Sequence, residues 1–562
     1  LFPRRWGGSV PCWAGVPGER AQGPNFEASS LSFWGKIPDV PCRAFLAQAT
    51  VSQPQPPESQ VPNPEPGDHS HAPQRSVFSG ARWHSFGAGS VQASRLLISL
   101  VLANMLGREL FGLMAAVQVI VGFADYFKDA GIGQAIVRRP KLEPGFLSTV
   151  FFANLVMGAA ISGVIWALAV PMSHLIHEPQ AISVLPVLGL SIFISSFGVV
   201  QRSLCVRTMR FDRLALSNLV NAVVYGVVAV GLAYLGWGIW AMVLGTLAGQ
   251  LSSNVVLWLQ TSWQPAPTFH FAYLREIWVF CAGILGSNLV NHFLNNIDRM
   301  VVQVFLGTSV LGSYAIAARL VTFPAQNLGR MLTAVLLPSF SRLQDNLELY
   351  RENFLRSCAG IAMLTCPMMV GLMAVAPILV ESLFHDPEWQ EAIPLIVWMG
   401  PLGIVFAISL PLHTIYVSLG RSMELMVYGI LFGIISAEAY LLGSLHGVKG
   451  VAIAGTLTHT VMSYFYFAVP FRFIHLKVRR LVRVLFPYFA VSGAMGLLVW
   501  GLRDLLTQAG LDPRINLVCC VVLGAAFYGG ILWRFKPPAM EDMLRFVGMR
   551  RRSASSPVEV KS

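Results

Sequence analysis

The most distinctive polar residues of this 562-residue chain follow one another at helical spacing through an otherwise apolar segment. They are Asn288, Asn291, His292, Asn295, Asn296, Arg299 and Gln303. Steps of three and four residues place them on one face of a helix. An unpaired polar group in hydrocarbon costs several kcal/mol, so this face must meet polar partners or water rather than lipid. The stripe therefore predicts a polar cavity inside a membrane protein.

Two other apolar segments carry polar stripes of the same kind. One contains Gln92, Arg95 and Ser99, and the other contains Arg319, Thr322, Gln326, Arg330 and Thr333. Guanidinium groups bind phosphate oxygens through forked, charge-assisted hydrogen bonds, so we expect a cationic cavity. Its candidate binding residues are Arg95, Ser99, Asn288, Asn291, His292, Asn295, Arg299, Arg319, Gln326 and Arg330. The alternative is that these groups pair with one another and only hold helices together.

Two acidic residues are candidates for binding a coupling ion. Asp298 lies at the edge of the first stripe, and Glu438 lies in a later apolar segment, where it could equally face the outer membrane interface. The eight cysteines form no C-x-x-C pair and no cluster with histidine. We therefore expect no metal site, no disulfide framework and no cofactor.

The composition explains where these stripes must sit. Hydrophobic residues make up 54% of the chain and charged residues 12%, whereas a soluble protein carries about 25% charged residues. From residue 83, apolar stretches of a length that crosses a bilayer alternate with short polar loops. We predict an all-α membrane protein with fourteen spans, at 83–106, 109–129, 147–171, 182–205, 214–235, 238–260, 276–306, 309–337, 356–384, 391–419, 424–443, 448–470, 484–504 and 515–534.

The distribution of lysine and arginine predicts the orientation. The loops that follow even-numbered spans hold 17 of these residues, counted from Arg138 to Arg483, and the opposite loops hold 4, namely Arg108, Lys449, Arg503 and Arg514. Positive loops face the cytoplasm, so both termini are predicted to be cytoplasmic. The net charge of +12 is explained by this pattern, and we expect no nucleic acid partner.

The chain also repeats itself. Leu106-Gly107, Gly112 and Ala115 recur 200 residues later, and His177-Glu178-Pro179 recurs as His385-Asp386-Pro387, 208 later. Six spans separate the copies, so both point the same way, and a substrate site is expected between such parallel repeats. Arg95 and Arg299 then face each other across the cavity. The predicted organisation is an N-terminal extension, a six-helix bundle, a second six-helix bundle, two extra helices and a cytoplasmic tail, at 1–76, 77–270, 271–475, 476–536 and 537–562.

The N-terminal extension differs from the rest of the chain. Residues 1–76 hold 13 of the 34 prolines and little apolar periodicity. Too little apolar surface is present there to offset the entropy of ordering. We expect a disordered tail or translated sequence upstream of the true start.

Several motifs resemble one family of membrane proteins. They are Asn295-Asn296-Ile297-Asp298-Arg299, Phe305-Leu306-Gly307, Leu311-Gly312-Ser313-Tyr314, Leu337-Pro338-Ser339-Phe340-Ser341-Arg342-Leu343-Gln344, Asp129-Ala130-Gly131-Ile132-Gly133 and Ile136-Val137-Arg138-Arg139. In this order they resemble the polysaccharide transporter family of the Wzx type, similar to colanic acid exporters. That family belongs to the multidrug/oligosaccharidyl-lipid/polysaccharide exporter superfamily, and the resemblance covers residues 80–540 or so.

The resemblance implies a fold and a function. It implies two parallel six-helix bundles of the MATE type with two further C-terminal helices, in the bacterial inner membrane. It implies a flippase, not an enzyme, that moves undecaprenyl-diphosphate-linked oligosaccharide to the periplasmic leaflet by alternating access. The expected partners are this lipid-linked oligosaccharide and membrane lipids, with a polysaccharide polymerase and glycosyltransferases as candidate protein partners. We expect a monomer.

Two other functions compete with this one. A multidrug or lipid II exporter of the same fold is the first, but an amide- and arginine-rich cavity favours an anionic, hydroxylated substrate over a cationic drug. A membrane polysaccharide polymerase or ligase is the second. The sequence shows no long outer loop and no G-x-S-x-G, H-E-x-x-H or Walker A pattern. Without an ATP motif, transport energy would come from an ion gradient, a substrate gradient or a partner protein.

Overall fold

The computed structural model describes residues 74–341, 343, 346–537 and 540, and all of them belong to one compact unit. This part of the chain contains α-helices and one 3₁₀ helix, Pro387–Glu391, and no strand. The α-helices, α1 to α17, are Gln74–Asp129, Ile132–Arg138, Pro144–Ala167, Ala169–Leu175, Ala181–Ser196, Val199–Arg207, Phe211–Tyr234, Ile239–Gln260, Phe271–Leu306, Thr308–Ser341, Leu347–Leu383, Ala392–Ser409, Leu412–Ser418, Ser422–Ser444, Gly447–Phe473, Val478–Gln508 and Pro513–Phe535.

Ten of these helices, some joined with a neighbour, are long and apolar enough to cross a membrane, and an eleventh span arises if the bent pair α5 and α6 counts as one. The chain is therefore a multi-pass, all-helical membrane protein in its described part. Each of the fourteen predicted spans falls on a helix or helix pair. The lower number arises because α1 carries two predicted spans, α5 and α6 are bent by 45°, and α10 and α15 are not among the ten. The count of fourteen stays a prediction.

One glycine in each copy of the repeat breaks a long helix in the same way. Gly107 inside α1 has φ 77° and ψ 170°, and Gly307 between α9 and α10 has φ 90° and ψ 173°. Side chains disfavour this region of backbone space, so glycine is the residue that permits the break. The two positions are 200 residues apart, which is the offset of the sequence repeat.

A second pair of glycines brings the two copies into contact. A Cβ atom added to Gly112 would lie 1.9 Å from the carbonyl oxygen of Thr308, and one added to Gly312 would lie 2.1 Å from that of Arg108. Positions 108 and 308 are also 200 apart, so the contact is reciprocal. This is the geometry of a two-fold relation between equivalent elements. It agrees with the repeat seen in the sequence.

The predicted boundaries between bundles fall between helices. α8 ends at Gln260 and α9 begins at Phe271, while α15 ends at Phe473 and α16 begins at Val478. We call residues 77–270 the N-half and 271–475 the C-half; the division itself stays a prediction. Residues 1–76 lie outside the described residues apart from 74–76, which begin α1, and the predicted tail 537–562 lies outside them apart from 537 and 540.

Candidate substrate cavity

A small cavity lies where α1, α7, α8, α9 and α10 meet, and we call it the central pocket. Its volume is about 320 Å³. Among the described residues, its charged lining residues are Arg299 and Arg319, and none of its lining residues is acidic. Its other polar lining residues are Gln92, Ser99, Gln118, Tyr225, Asn296 and Thr322. The structure thus brings three predicted site residues, Ser99, Arg299 and Arg319, into one pocket.

Two buried polar atoms of this pocket have no hydrogen-bond partner in the described part of the chain. They are Nε of Arg299 and Oγ of Ser99. Another guanidinium nitrogen of Arg299 donates to Oδ1 of Asn296 at 3.3 Å. Leaving a buried donor unsatisfied costs about 1–3 kcal/mol, and more when it is charged. The pocket therefore favours a ligand or water that accepts hydrogen bonds.

The positive charge of the pocket is concentrated. Arg319 is half-buried and interacts electrostatically with Arg299, Arg95 and the Tyr225 hydroxyl. Arg95 lies beside the pocket and donates to Oδ1 of Asn221 on α7 at 3.0 Å. Neither Arg299 nor Arg319 forms an ion pair with any described residue. Three like charges held together in a membrane protein favour the binding of an anion.

Other residues of the α9 stripe lie away from the central pocket. Asn291 and Asn295 are exposed, and each donates to the carbonyl four residues earlier, Ser287 at 2.9 Å and Asn291 at 2.7 Å respectively. Asn288 is half-buried and does not line this pocket. The amphipathic pattern predicted a polar face on α9, but only part of that face lines the central pocket.

His292 connects α9 to α1. Its Nε2 lies 3.1 Å from the carbonyl oxygen of Val119, and its ring contacts the rings of Tyr126 and Phe123 at centroid distances of 5.2 and 6.0 Å. Gln303 is buried in a similar way, donating to the carbonyl of Ile176 at 2.8 Å and to the Thr308 hydroxyl at 2.9 Å. His292 and the amide nitrogen of Gln303 therefore hold helices together, while Oε1 of Gln303 is buried without a hydrogen-bond partner among the described residues.

The two predicted ion-binding residues differ in their surroundings. Asp298 accepts a hydrogen bond from the buried Tyr314 hydroxyl at 2.9 Å and interacts electrostatically with Tyr440 and His459. Glu438 is exposed on α14. Groups of three or more His, Cys, Asp or Glu able to hold a metal ion do not occur among the described residues.

Gln326 and Arg330 lie on α10, but their side chains are outside the described residues. Their predicted place in the cavity is untested.

A larger cavity, which the polar stripes of the sequence did not predict, adjoins the central pocket. We call it the N-half chamber; its volume is about 960 Å³, and Met114 and Gln118 line both cavities. Its charged and amide lining residues are Gln118, Asp125, Lys128, Asp129, Gln134, Arg138, Arg202 and Gln250. Gln118, Asp125 and Asp129 are spaced by seven and four residues, which is the signal that could have revealed this face.

A left-handed turn and one arginine position the wall of the chamber. The chain turns between α1 and α2 at Ala130 (φ 37°) and Gly131 (φ 77°). A Cβ on Gly131 would lie 2.8 Å from Ile284, so the turn packs closely on α9. Arg207, the last residue of α6, donates to two carbonyl oxygens at the end of α2 and just after it. These belong to Ile136, at 3.0 Å, and Pro140, at 2.8 Å. The turn motif Asp129–Gly133 thus fixes the direction of the polar residues on either side.

The opposite end of the molecule is closed by polar contacts between the halves, which we call the outer latch. Nε of Arg108 lies 2.6 Å from the Glu388 carboxylate, and Nη1 of Arg108 lies 2.9 Å from the Glu391 carboxylate. Beside Arg108, the side chain of Asn104 lies 3.2 Å from both the ring Nδ1 and the backbone nitrogen of His385. These residues lie in or next to loops predicted to face the periplasm.

Comparison with known proteins places the chain in a wider context. The model of a family described as polysaccharide biosynthesis protein matches residues 101–394. The teichuronic acid biosynthesis protein TuaB of Bacillus subtilis is 23% identical over 479 residues, covering 84% of this chain and 98% of TuaB. The succinoglycan biosynthesis transport protein ExoT of Rhizobium meliloti is 27% identical over 350 residues, covering 62% and 70% respectively.

A solved structure shares the fold. The lipid II flippase MurJ in an inward closed conformation superposes with a TM-score of 0.66 at 13% identity. The likeness covers 82% of this chain and 99% of that structure. At this identity it establishes the shared fold alone.

Proposed function

Because the chain belongs to the polysaccharide biosynthesis protein family, we propose that it is a flippase for polyprenyl-diphosphate-linked oligosaccharide. It moves this substrate from the cytoplasmic to the periplasmic leaflet of the bacterial inner membrane. The substrate is a repeat unit of exopolysaccharide, capsule or O-antigen. In this role the chain is a transporter and not an enzyme. TuaB and ExoT, by their names, act in polysaccharide biosynthesis and transport, which supports the substrate class.

One observation carries this function: the central pocket gathers arginine without acidic counter-charge. Arg299 and Arg319 line it, and Arg95 lies within electrostatic reach. A diphosphate that leaves water during transport needs its hydration replaced by donors with fixed geometry, and guanidinium groups supply two parallel hydrogen bonds each. The diphosphate is held here, while the polyprenyl chain stays in lipid.

The closed outer latch supports alternating access. The latch lies at the predicted periplasmic end, whereas Arg138 and Arg202 of the N-half chamber come from predicted cytoplasmic loops. A substrate therefore enters from the cytoplasm in this conformation. The cycle continues when the halves separate at the latch and close over the chamber. Asp298, with its Tyr314 hydrogen bond, is the better placed of the two candidates for coupling to an ion gradient.

Substitution of Arg299 tests this function. Arg299→Ala removes a charged hydrogen-bond donor from the diphosphate and should lower export about tenfold or more at normal abundance in the membrane. Arg299→Lys keeps the charge but loses the fork, so it should restore export only in part. Arg95→Ala should also lower export. The assay is polymer export in a strain that lacks the gene, with abundance measured by immunoblot.

An exposed arginine provides the control. Arg210→Ala removes the same charge at an exposed position that does not line the pocket, and it should leave export unchanged. If Arg95→Ala and Arg299→Ala both export normally, the pocket does not bind the diphosphate. If export falls only in proportion to abundance, the arginines stabilise the fold instead.

The orientation is tested separately. Reporter fusions after Arg139 and after Glu178 should report the cytoplasm and the periplasm respectively, since the positive loops face inwards. The reverse result would place the outer latch on the cytoplasmic side and reverse the direction of transport. Glycosyltransferases that complete the lipid-linked sugar and a polymerase that consumes it are the proposed functional partners of a monomeric transporter.

A further inference from the structure

We propose that the N-half chamber binds the sugar moiety of the substrate, separately from the diphosphate in the central pocket. This rests on the proposed function and adds to it a second binding site. The chamber is about three times as large as the central pocket, about 960 against 320 Å³. Met114 and Gln118 line both cavities, so the two cavities are adjacent, as the proposal requires for two parts of one molecule.

The amides of the chamber are available to a ligand. The side chains of Gln118, Gln134 and Gln250 form no hydrogen bond with any described residue, although all three line the chamber. An amide offers both a donor pair and an acceptor, and a sugar hydroxyl is both donor and acceptor. Three amides on α1, α2 and α8 therefore suit vicinal hydroxyl groups approached from three sides.

A buried lysine shows that the chamber wall is built around charge. Lys128 is 5% exposed, and its ammonium group donates to Ser195 at 2.7 Å and pairs with Asp125 at 2.8 Å. An ammonium has three donors, so one remains after these two contacts. A buried charge is costly unless it is well paired, and such groups in membrane proteins mark substrate paths.

The charges of the chamber are mixed, unlike those of the central pocket. Asp125 and Asp129 oppose Lys128, Arg138 and Arg202 among the lining residues. The Asp129 carboxylate forms no ion pair among the described residues and can accept hydrogen bonds from hydroxyls. Three cations face two carboxylates in this lining, so most of the positive charge is compensated and the chamber is less suited to a diphosphate than the central pocket, but it suits a neutral or singly charged oligosaccharide. The two cavities thus suit the two polar parts of one molecule.

The chamber mouth is ordered by a cation–π contact. The guanidinium of Arg138 lies over the ring of Phe280 at 5.0 Å, and both residues line the chamber. This contact joins the N-half to α9 at the predicted cytoplasmic end.

Binding of two probes separates the two sites. The purified full-length protein in detergent is titrated with decaprenyl diphosphate and with decaprenyl diphosphate that carries a glucose disaccharide, and Kd is measured by native mass spectrometry. The disaccharide should lower Kd for the wild-type protein. Gln134→Leu and Gln250→Leu should each weaken binding of the glycosylated probe about threefold to tenfold, because each removes hydrogen bonds to the sugar. Binding of the sugar-free probe should not change.

Two control variants make the outcomes distinct. Gln180→Leu changes the same residue type at an exposed position in the N-half and should affect neither probe. Arg299→Ala should weaken both probes; if it does not, the proposed diphosphate site fails while the sugar site can still stand. A disaccharide that leaves the wild-type Kd unchanged would overturn the sugar site. So would chamber variants that weaken both probes equally, or neither.

Discussion

The two halves of this protein have a similar backbone arrangement, but the side chains at equivalent positions differ. Gly107 and Gly307 break their helices with nearly the same φ and ψ angles. Yet Gln118 and Asp125, which line the N-half chamber, correspond at the offset of 200 to Ala318 and Ala325, which are 3% and 1% exposed. At these two positions the C-half is apolar and buried.

The second wall shows the same contrast. Ser191 and Ser195 of the chamber correspond at the offset of 208 to Met399 and Gly403. Met399 is 3% exposed, and a Cβ on Gly403 would lie 2.7 Å from the sulfur of Met369. The same arrangement of helices therefore encloses a cavity in one half and is closely packed in the other, according to the size and polarity of the side chains. The cavity is an asymmetric feature of a symmetric fold.

The largest effect is expected where the halves are most alike. Gly112→Ala and Gly312→Ala each place a Cβ against a backbone carbonyl that cannot move aside. Each should lower the free energy of unfolding by about 3 kcal/mol or more, beyond the usual range for overpacking. Fluorescence-detected size exclusion should show loss of the monodisperse peak for both. Gly283→Ala, where nothing lies within 4 Å, is the matched control.

Replacing a residue by the residue type of the other half should be tolerated in the N-half and not in the C-half. Gly403→Ser inserts atoms between Met369 and Val321 and should destabilise the protein by about 1–3 kcal/mol. Ser191→Met fills open space in the chamber and should stay within about 0.5 kcal/mol of the wild type. Thermal unfolding in detergent measures both. Equal losses of stability would show that the C-half is no more tightly packed than the N-half.

The charge pair of the chamber should be replaceable by its apolar counterpart. Asp125→Ala leaves the Lys128 ammonium buried with Ser195 as its remaining described partner, and should lower stability by about 1–2 kcal/mol, a value reduced because Asp125 is half exposed. The double variant Asp125→Ala/Lys128→Leu installs the C-half residue types of positions 325 and 328. The double variant should have the melting temperature of the wild type. It should no longer bind the glycosylated lipid more tightly than the sugar-free lipid. A double variant as unstable as the single one would contradict this.

The smallest effect on stability is expected at the outer latch. Glu388 is 58% exposed, so Arg108→Ala should cost less than about 1 kcal/mol. Arg108→Ala should instead make the central pocket more accessible from outside. A cysteine introduced by Ser99→Cys should react several-fold faster with an impermeant maleimide added from outside when Arg108→Ala is also present. An unchanged rate would show that the latch does not hold the outer face closed.

The α9 stripe predicted only part of the central pocket. Its spacing indicated a face that avoids lipid, and two of its residues, Asn296 and Arg299, line the pocket. The same spacing could not tell that His292 and Gln303 bond to neighbouring helices, or that Asn291 and Asn295 bond to their own. A polar side chain satisfied by a neighbour and one that faces a ligand have the same sequence pattern.

The sequence by itself determined that the chain is helical, crosses the membrane many times and repeats itself. These properties follow from local hydrophobicity and from identities at fixed offsets, which need no knowledge of contacts. Only the tertiary structure decided where the space lies. Asp125, Lys128 and Asp129 became a chamber wall because α1, α5 and α6 leave a gap there. Ala325 and Gly403 close the equivalent gap in the C-half, because a cavity depends on the side chains of several helices at once.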